Sequence, residues 1–231
     1  MIASTSLCSH NLAMMITSPK WMSPTPQIDD LNRPIDDVIS RIEKLNEGLR
    51  QFWSEAAGWA PDDAAALMTK SRLDWQVSLS RSLRHWVCDP PENLEEGDLI
   101  LGWANLGSLI EGTIKLFLAV HYESYKNDVE TLKTTKAWHN KKKKLLDPDC
   151  LVLDTLIEYV EKAHLFAPEE IELCKFVQAR RNAIHAFKDR PIDTGSELHR
   201  AIKKYLTMLR STAHGLPYPD DLYAPTETSP F

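Results

Sequence analysis

Arg180, Arg181, Asn182 and His185 fall within a single run, Arg-Arg-Asn-Ala-Ile-His, that brings together groups able to act on a phosphodiester. Arginine offers a planar fork of donors to phosphate, and histidine exchanges a proton near neutral pH. Cleavage of RNA by its own 2′-hydroxyl needs a base, an acid on the leaving oxygen and donors facing the developing negative charge. His185 can supply one of the proton transfers. Arg180 or Arg181 can hold the phosphate, and Asn182 can orient the phosphate or the imidazole. No metal or other cofactor is called for. The second proton-transfer group is missing from the run, and a two-fold dimer would provide it as another His185. The bland alternative is a helix end, where cations suit the dipole whatever else they do.

The run sits in a helical pattern that opens at Pro168-Glu169-Glu170, with acids in the first turn, and carries Leu173, Phe176 and Val177 on its core face. On one continuous helix, Arg181 and His185 share a face and Arg180 points about 100° away, toward the side of Val177 and Ile184. Lys188 and Arg190 follow at once and either extend a phosphate-binding rim or are surface charges ahead of Pro191. Earlier in the chain, Glu111 interrupts a largely apolar helix. A half-buried carboxylate needs a partner, and both Lys115 and an arginine of the run qualify.

Around these residues the periodicity predicts about six helices and little else. The first starts near Pro34, with Ile35, Val38, Ile42, Leu45, Leu49 and Phe52 at helical spacing. The second runs from Pro61 to about Val87, ahead of Pro90-Pro91. The third and longest covers Glu96 to about Tyr125, with Leu99, Trp103, Leu106, Ile110, Ile114 and Phe117 as its stripe. Residues 126–147 read as a polar connection. A fourth helix follows Pro148, the fifth carries the arginine–histidine run, and the sixth starts at Asp193-Thr194. Trp75, Trp86 and Trp103 are expected in the core. The expected architecture is an all-α antiparallel bundle of four to five core helices over residues 95–214. A helical extension over 29–94 precedes it, and disordered segments over 1–28 and 215–231 flank the whole.

Composition agrees. The 231 residues are 43% hydrophobic and 26% charged, and the 8 glycines include no Asn-Gly or Asp-Gly hairpin signal. A net charge of -6 argues against a general nucleic-acid sponge, so RNA contact has to come from a local patch. Lys141–Lys144 is one such patch, able to steer RNA through its phosphates, although charge runs in loops are commonly just solvated. The 4 scattered cysteines form no metal-ligand pattern. No secretory leader or membrane span is expected, which places the protein in the cytoplasm.

The spacing from Arg180 to His185, an arginine, four residues and a histidine, resembles the signature of the HEPN superfamily. The stretch from Gly102 to Gly112 is similar to the early bundle helix of HEPN-like bacterial proteins, and the resemblance covers roughly residues 95–212. It implies a metal-independent endoribonuclease of prokaryotic defence or a toxin–antitoxin system, with a possible antitoxin partner. It also implies a homodimer whose two motifs face a shared cleft. Arg180 and His185 become the catalytic pair, with Arg181 at the variable polar position. Many members place asparagine directly after the arginine, whereas Asn182 follows Arg181 here, which leaves the functional arginine open. A tyrosine modified in the toxin branch is replaced by Phe187, so that modification cannot act at this position. Some HEPN-like proteins are inert interaction modules, and that reading stays beside the nuclease. A nucleotide-binding sensor using the same arginines is a third.

Overall fold

The computed structural model describes residues 29–55, 60–185, 187–219 and 224–227. Disorder expected over residues 1–28 lies outside the described residues, as does part of that expected over 215–231. Among the described residues are nine α-helices and one short β-hairpin, and no helix is long and apolar enough to cross a membrane. The all-α bundle is therefore the fold.

Local chemistry sets several helix starts. Helix α1 (Ile35–Trp53) follows Pro34 and opens with Asp36 and Asp37. The reading of one helix from Pro61 to Val87 fails at Ser71–Arg72, which separates α2 (Asp62–Lys70) from α3 (Leu73–Ser82). There the Ser71 hydroxyl donates to the Met68 carbonyl at 2.6 Å and Arg72 forks onto Asp74 at 2.8 and 2.6 Å. Such local bonds compete with helix continuation. Helix α4 (Glu96–Val120) ends at His121, short of the expected Tyr125, and α5 (Tyr122–Asn127) restarts after it.

The expected polar connection over 126–147 contains α6 (Val129–Lys133) and the hairpin of β1 (Trp138–His139) with β2 (Lys144–Leu145). The hairpin is antiparallel, with Trp138 opposite Leu145 and His139 opposite Lys144. Pro148–Cys150 forms a 3-10 turn, so the fourth expected helix begins later, as α7 (Leu153–Lys162). Helix α8 (Pro168–Arg181) starts as anticipated, with the Glu170 carboxylate accepting from the Ala167 N–H at 2.9 Å. Helix α9 (Gly195–His214) is capped by Thr194, whose hydroxyl accepts from the Glu197 N–H at 3.3 Å.

Helix α4 is the axis of the molecule, and α2, α3, α7, α8 and α9 pack around it. Residues brought together fix the directions. Gln76 meets Leu109 and Trp86 meets Gly102, so α3 is antiparallel to α4. Phe176 meets Trp103, with Phe166 near Phe117, so α8 is antiparallel to α4 as well. Leu198 meets Gly102 and Tyr205 meets Thr113, which makes α9 parallel to α4. Residues 29–94 are no appendage: Ile39, Ile42, Leu49 and Leu83 belong to the same buried cluster as Trp103, Leu156 and Leu206.

A polar seam crosses that core. The Gln76 amide donates to the Leu109 carbonyl at 2.7 Å, and the hydroxyls of Thr113 and Tyr205 meet at 2.9 Å. One flank of the fold is closed by ions. Arg210, on α9, is almost fully buried and holds both Asp30 and Glu227, and Arg41 of α1 also reaches Glu227 at 3.1 Å. Past α9, Leu216 is buried and the Tyr218 ring packs 5.0 Å from that of Phe52, so these parts of the final segment are anchored to the bundle.

Candidate functional site

Helix α8 stops at Arg181, and Asn182–Ile184 form a 3-10 turn. His185 lies beyond that turn with φ -91° and ψ 87°, outside helical geometry. The expected shared face of Arg181 and His185 is therefore not formed. A 3-10 turn advances about 120° per residue against about 100° in an α-helix. That change swings His185 away from the row of Arg181. The imidazole is exposed and makes no hydrogen bond among the described residues.

The two arginines take different roles. Arg180 points inward, with its side chain only 12% exposed. It pairs with Asp193, donates to the Phe176 carbonyl at 2.8 Å and lies 3.2 Å from the centre of the Phe176 ring. The Phe176 carbonyl belongs to the interior of α8, so this bond folds the guanidinium back along its own helix. Trp103, beneath this arrangement, donates its indole N–H to the Ile192 carbonyl at 2.7 Å. Arg180 and Trp103 together pin the returning chain onto α4, and Asp193 takes up a left-handed φ of 51° in the process. All the geometry of Arg180 is thus spent on holding the fold.

Arg181 runs across α4 and donates to Glu111 at 2.6 Å, with its side chain 31% exposed. Gly107 makes room for it: a Cβ there would lie 2.6 Å from Arg181 Cδ. Glu111 also accepts from Lys115 at 2.9 Å, so both of the partners expected for it are present. Burial pushes the Glu111 carboxyl up, but the hydrogen bonds from Lys115 and Arg181 outweigh that and hold it below the usual carboxylate range. Glu111 is therefore a fixed anion that orients Arg181 while part of the arginine side chain stays in solvent.

Asn182 is half-buried, Lys188 is exposed and Arg190 is half-buried. The Lys188 N–H donates to the His185 carbonyl at 3.3 Å, so that lysine follows His185 in the same tight turn. Two apolar side chains flank the histidine in the open, Ile184 and the fully exposed Phe187. Leu101, on α4, is exposed too. The arrangement offers an imidazole, a braced guanidinium and an uncovered apolar rim.

Sequence reasoning missed Asp193 and the stacking of Arg180 on Phe176. The signal for Asp193 was its place just before the Thr194 cap, but nothing local paired it with Arg180. Trp103 is in the core as expected, whereas Trp75 is 58% exposed, with the Arg72 guanidinium 4.0 Å above its ring. A cavity of about 460 Å³ lies elsewhere, at the far end of α4, lined by Phe117, His121, Tyr125, Asp128, Tyr159 and His164 among others.

The class of protein that this fold and site define is an all-α bundle with an arginine–histidine turn at the end of its penultimate long helix. Comparison with family models, with curated proteins and with solved structures gives no match. The likeness to the HEPN superfamily accordingly rests on the residues themselves.

Proposed function

We propose that this protein is a HEPN-like, metal-independent endoribonuclease that cleaves RNA by attack of the 2′-hydroxyl. The observation that carries the reading is His185, held outside the helix in solvent with its ring uncommitted, four residues past Arg181, whose side chain is 31% exposed. In this scheme Arg181 holds the phosphate, Glu111 orients Arg181, and His185 transfers the proton. Arg180 is the structural arginine. Asn182, Lys188 and Arg190 lie at the rim, where the RNA backbone passes. The second proton-transfer group comes from a partner copy, docked through Ile184 and Phe187, and the cytoplasm is the proposed setting. The test is cleavage of a labelled RNA pool in EDTA. Cyclic-phosphate ends are expected from the wild type and none from His185→Ala. Uncut RNA with a well-folded dimer would refute the nuclease.

A second reading has its own support. Both arginines face carboxylates, Asp193 and Glu111, and the exposed apolar pair suits a protein contact. On that reading the chain is an inert interaction module, in the manner of an antitoxin-bound or scaffolding protein, and Phe187→Ser separates the copies with no effect on RNA.

Gly107→Ala discriminates further. The new methyl collides with the stem of Arg181, 2.6 Å from Cδ, 3.1 Å from Cγ and 3.2 Å from Cβ, so the whole side chain has to move. Misplacing a catalytic group by about 1 Å costs up to about 100-fold in rate. The nuclease reading expects that scale of loss at temperatures where the variant is still fully folded. Unchanged cleavage would remove Arg181 from the site.

A further inference from the structure

Between Glu130 and Asp147 the chain carries no acidic residue, and it carries Lys133, Lys136, Lys141, Lys142, Lys143 and Lys144. The first two are matched, Lys133 by Glu130 at 3.5 Å and Lys136 by Asp154 at 3.1 Å. The last four are exposed and meet no carboxylate among the described residues. Four adjacent cations repel one another, and a disordered loop would let them spread apart. Here they are fixed. The strand pairing of β1 with β2 closes the turn, the Lys142 N–H donates to His139 Nδ1 at 3.4 Å, and Lys143 accepts a left-handed φ of 48°. In a protein of net charge -6, this is a preformed positive tip with no neutralising neighbour among the described residues.

The tip is also joined to the arginine–histidine end. Tyr125 and Tyr122 donate at 2.6 Å to the Leu146 carbonyl and to Asp147, just past β2. Lys115 donates to the Asp149 carbonyl at 3.3 Å and to Glu111 at 2.9 Å, and Glu111 holds Arg181. Glu111 and Lys115 lie about 6 Å apart along α4. One face of α4 therefore runs from Arg181 to the base of the hairpin.

We propose that Lys141–Lys144 clamp the phosphate backbone of an RNA strand whose further length reaches Arg181 along the Glu111–Lys115 face of α4. Naming RNA as the polyanion rests on the nuclease reading. Phosphates suit lysine as a point charge, and counterion release drives such binding without reading sequence. A membrane surface fits less well, because Trp138 and Leu145 pack against the core and leave no apolar wedge beside the lysines.

The experiment is fluorescence anisotropy of a labelled single-stranded RNA across a salt series, in a His185→Ala background that leaves the RNA intact. Folding is checked by circular dichroism. The variant replaces all four lysines by glutamine, surface changes that leave the bundle folded. If the four lysines neutralise four phosphates, the slope of log affinity against log salt falls by about 2.8 and affinity drops by tenfold or more at low salt. An unchanged slope overturns the clamp, as does lysine-dependent binding to phosphatidylserine vesicles without binding to RNA. The two readings fail separately. Lysine-dependent binding by a wild type that never cuts RNA sinks the nuclease and keeps the clamp. Equal cutting and equal binding with and without the lysines does the reverse.

Discussion

His185→Ala is expected to cut the rate of RNA cleavage by about 10²- to 10⁴-fold, the range for losing a positioned proton-transfer group. Its melting temperature should stay where it was, because the ring is exposed and holds nothing. That contrast is what makes the experiment decisive. Arg180→Ala should behave in the opposite way, since it removes the tie to Asp193 and the stacking on Phe176, and its loss of activity should track loss of fold. Arg181→Ala sits between the two. It frees Glu111 from one partner but leaves Lys115 in place, so activity should fall far more than stability. If Arg180 and Arg181 exchange these behaviours, with Arg180→Ala folded and inactive, the roles assigned to them are reversed.

Arg210→Ala should be among the most damaging changes to stability. Arg210 is 5% exposed and Asp30 is 3% exposed, so deleting the guanidinium leaves a carboxylate out of water with only Arg33 at 3.1 Å and the Thr207 hydroxyl at 3.2 Å to hold it. Breaking such a buried pair typically costs about 3–5 kcal/mol. Chemical denaturation should show it, with the midpoint falling and the slope preserved. A loss no greater than that of an ordinary surface change would mean that Arg33 and Thr207 suffice to hold Asp30. The same cluster predicts an acid limb. Burial pushes the Glu227 carboxyl up, but Arg210 and Arg41 outweigh it and hold it low. A depressed folded-state pKa stabilises the protein above the ordinary carboxylate range, and that contribution disappears as pH falls through the depressed value. Stability measured against pH should drop in that acid window, and Glu227→Gln should flatten the drop.

How much of this was legible depended on whether the deciding contact was local. Pro168 with Glu169 and Glu170 announced α8, and Thr194 announced α9, because caps and first-turn acids act within a few residues. The stripe from Leu99 to Phe117 announced α4 for the same reason. Glu111 was flagged because an unpaired half-buried carboxylate is costly, and that argument needs no structure. The break at Ser71–Arg72 was missed because its side chains bond to their own neighbours, which periodicity does not register. The hairpin was missed because Lys143, not glycine or asparagine, takes the left-handed turn position. Where α8 ends is set by Asp193 and Trp103, distant in sequence, so the 3-10 turn that redirects His185 could not be read from the run. Trp75 was misplaced because a large aromatic defaults to the core, and only the Arg72 cover explains its exposure.

The buried guanidinium of Arg210 has one more consequence. Asp30 and Glu227 grip the same side chain, so the two ends of the described chain meet at a single point. That point lies about 25 Å along α9 from Asp193, at 1.5 Å per residue. A short linker could therefore join Glu227 to Asp30, and new ends could be opened at an exposed turn, without stretching the bundle. Fusion partners joined directly at Asp29 and at Glu227 would leave from the same pole, at the other end of α9 from Asp193. A tethered label or immobilised surface would thus stand clear of His185, at the end of the bundle where His121, just past α4, meets Gly215 and the lysine hairpin is anchored.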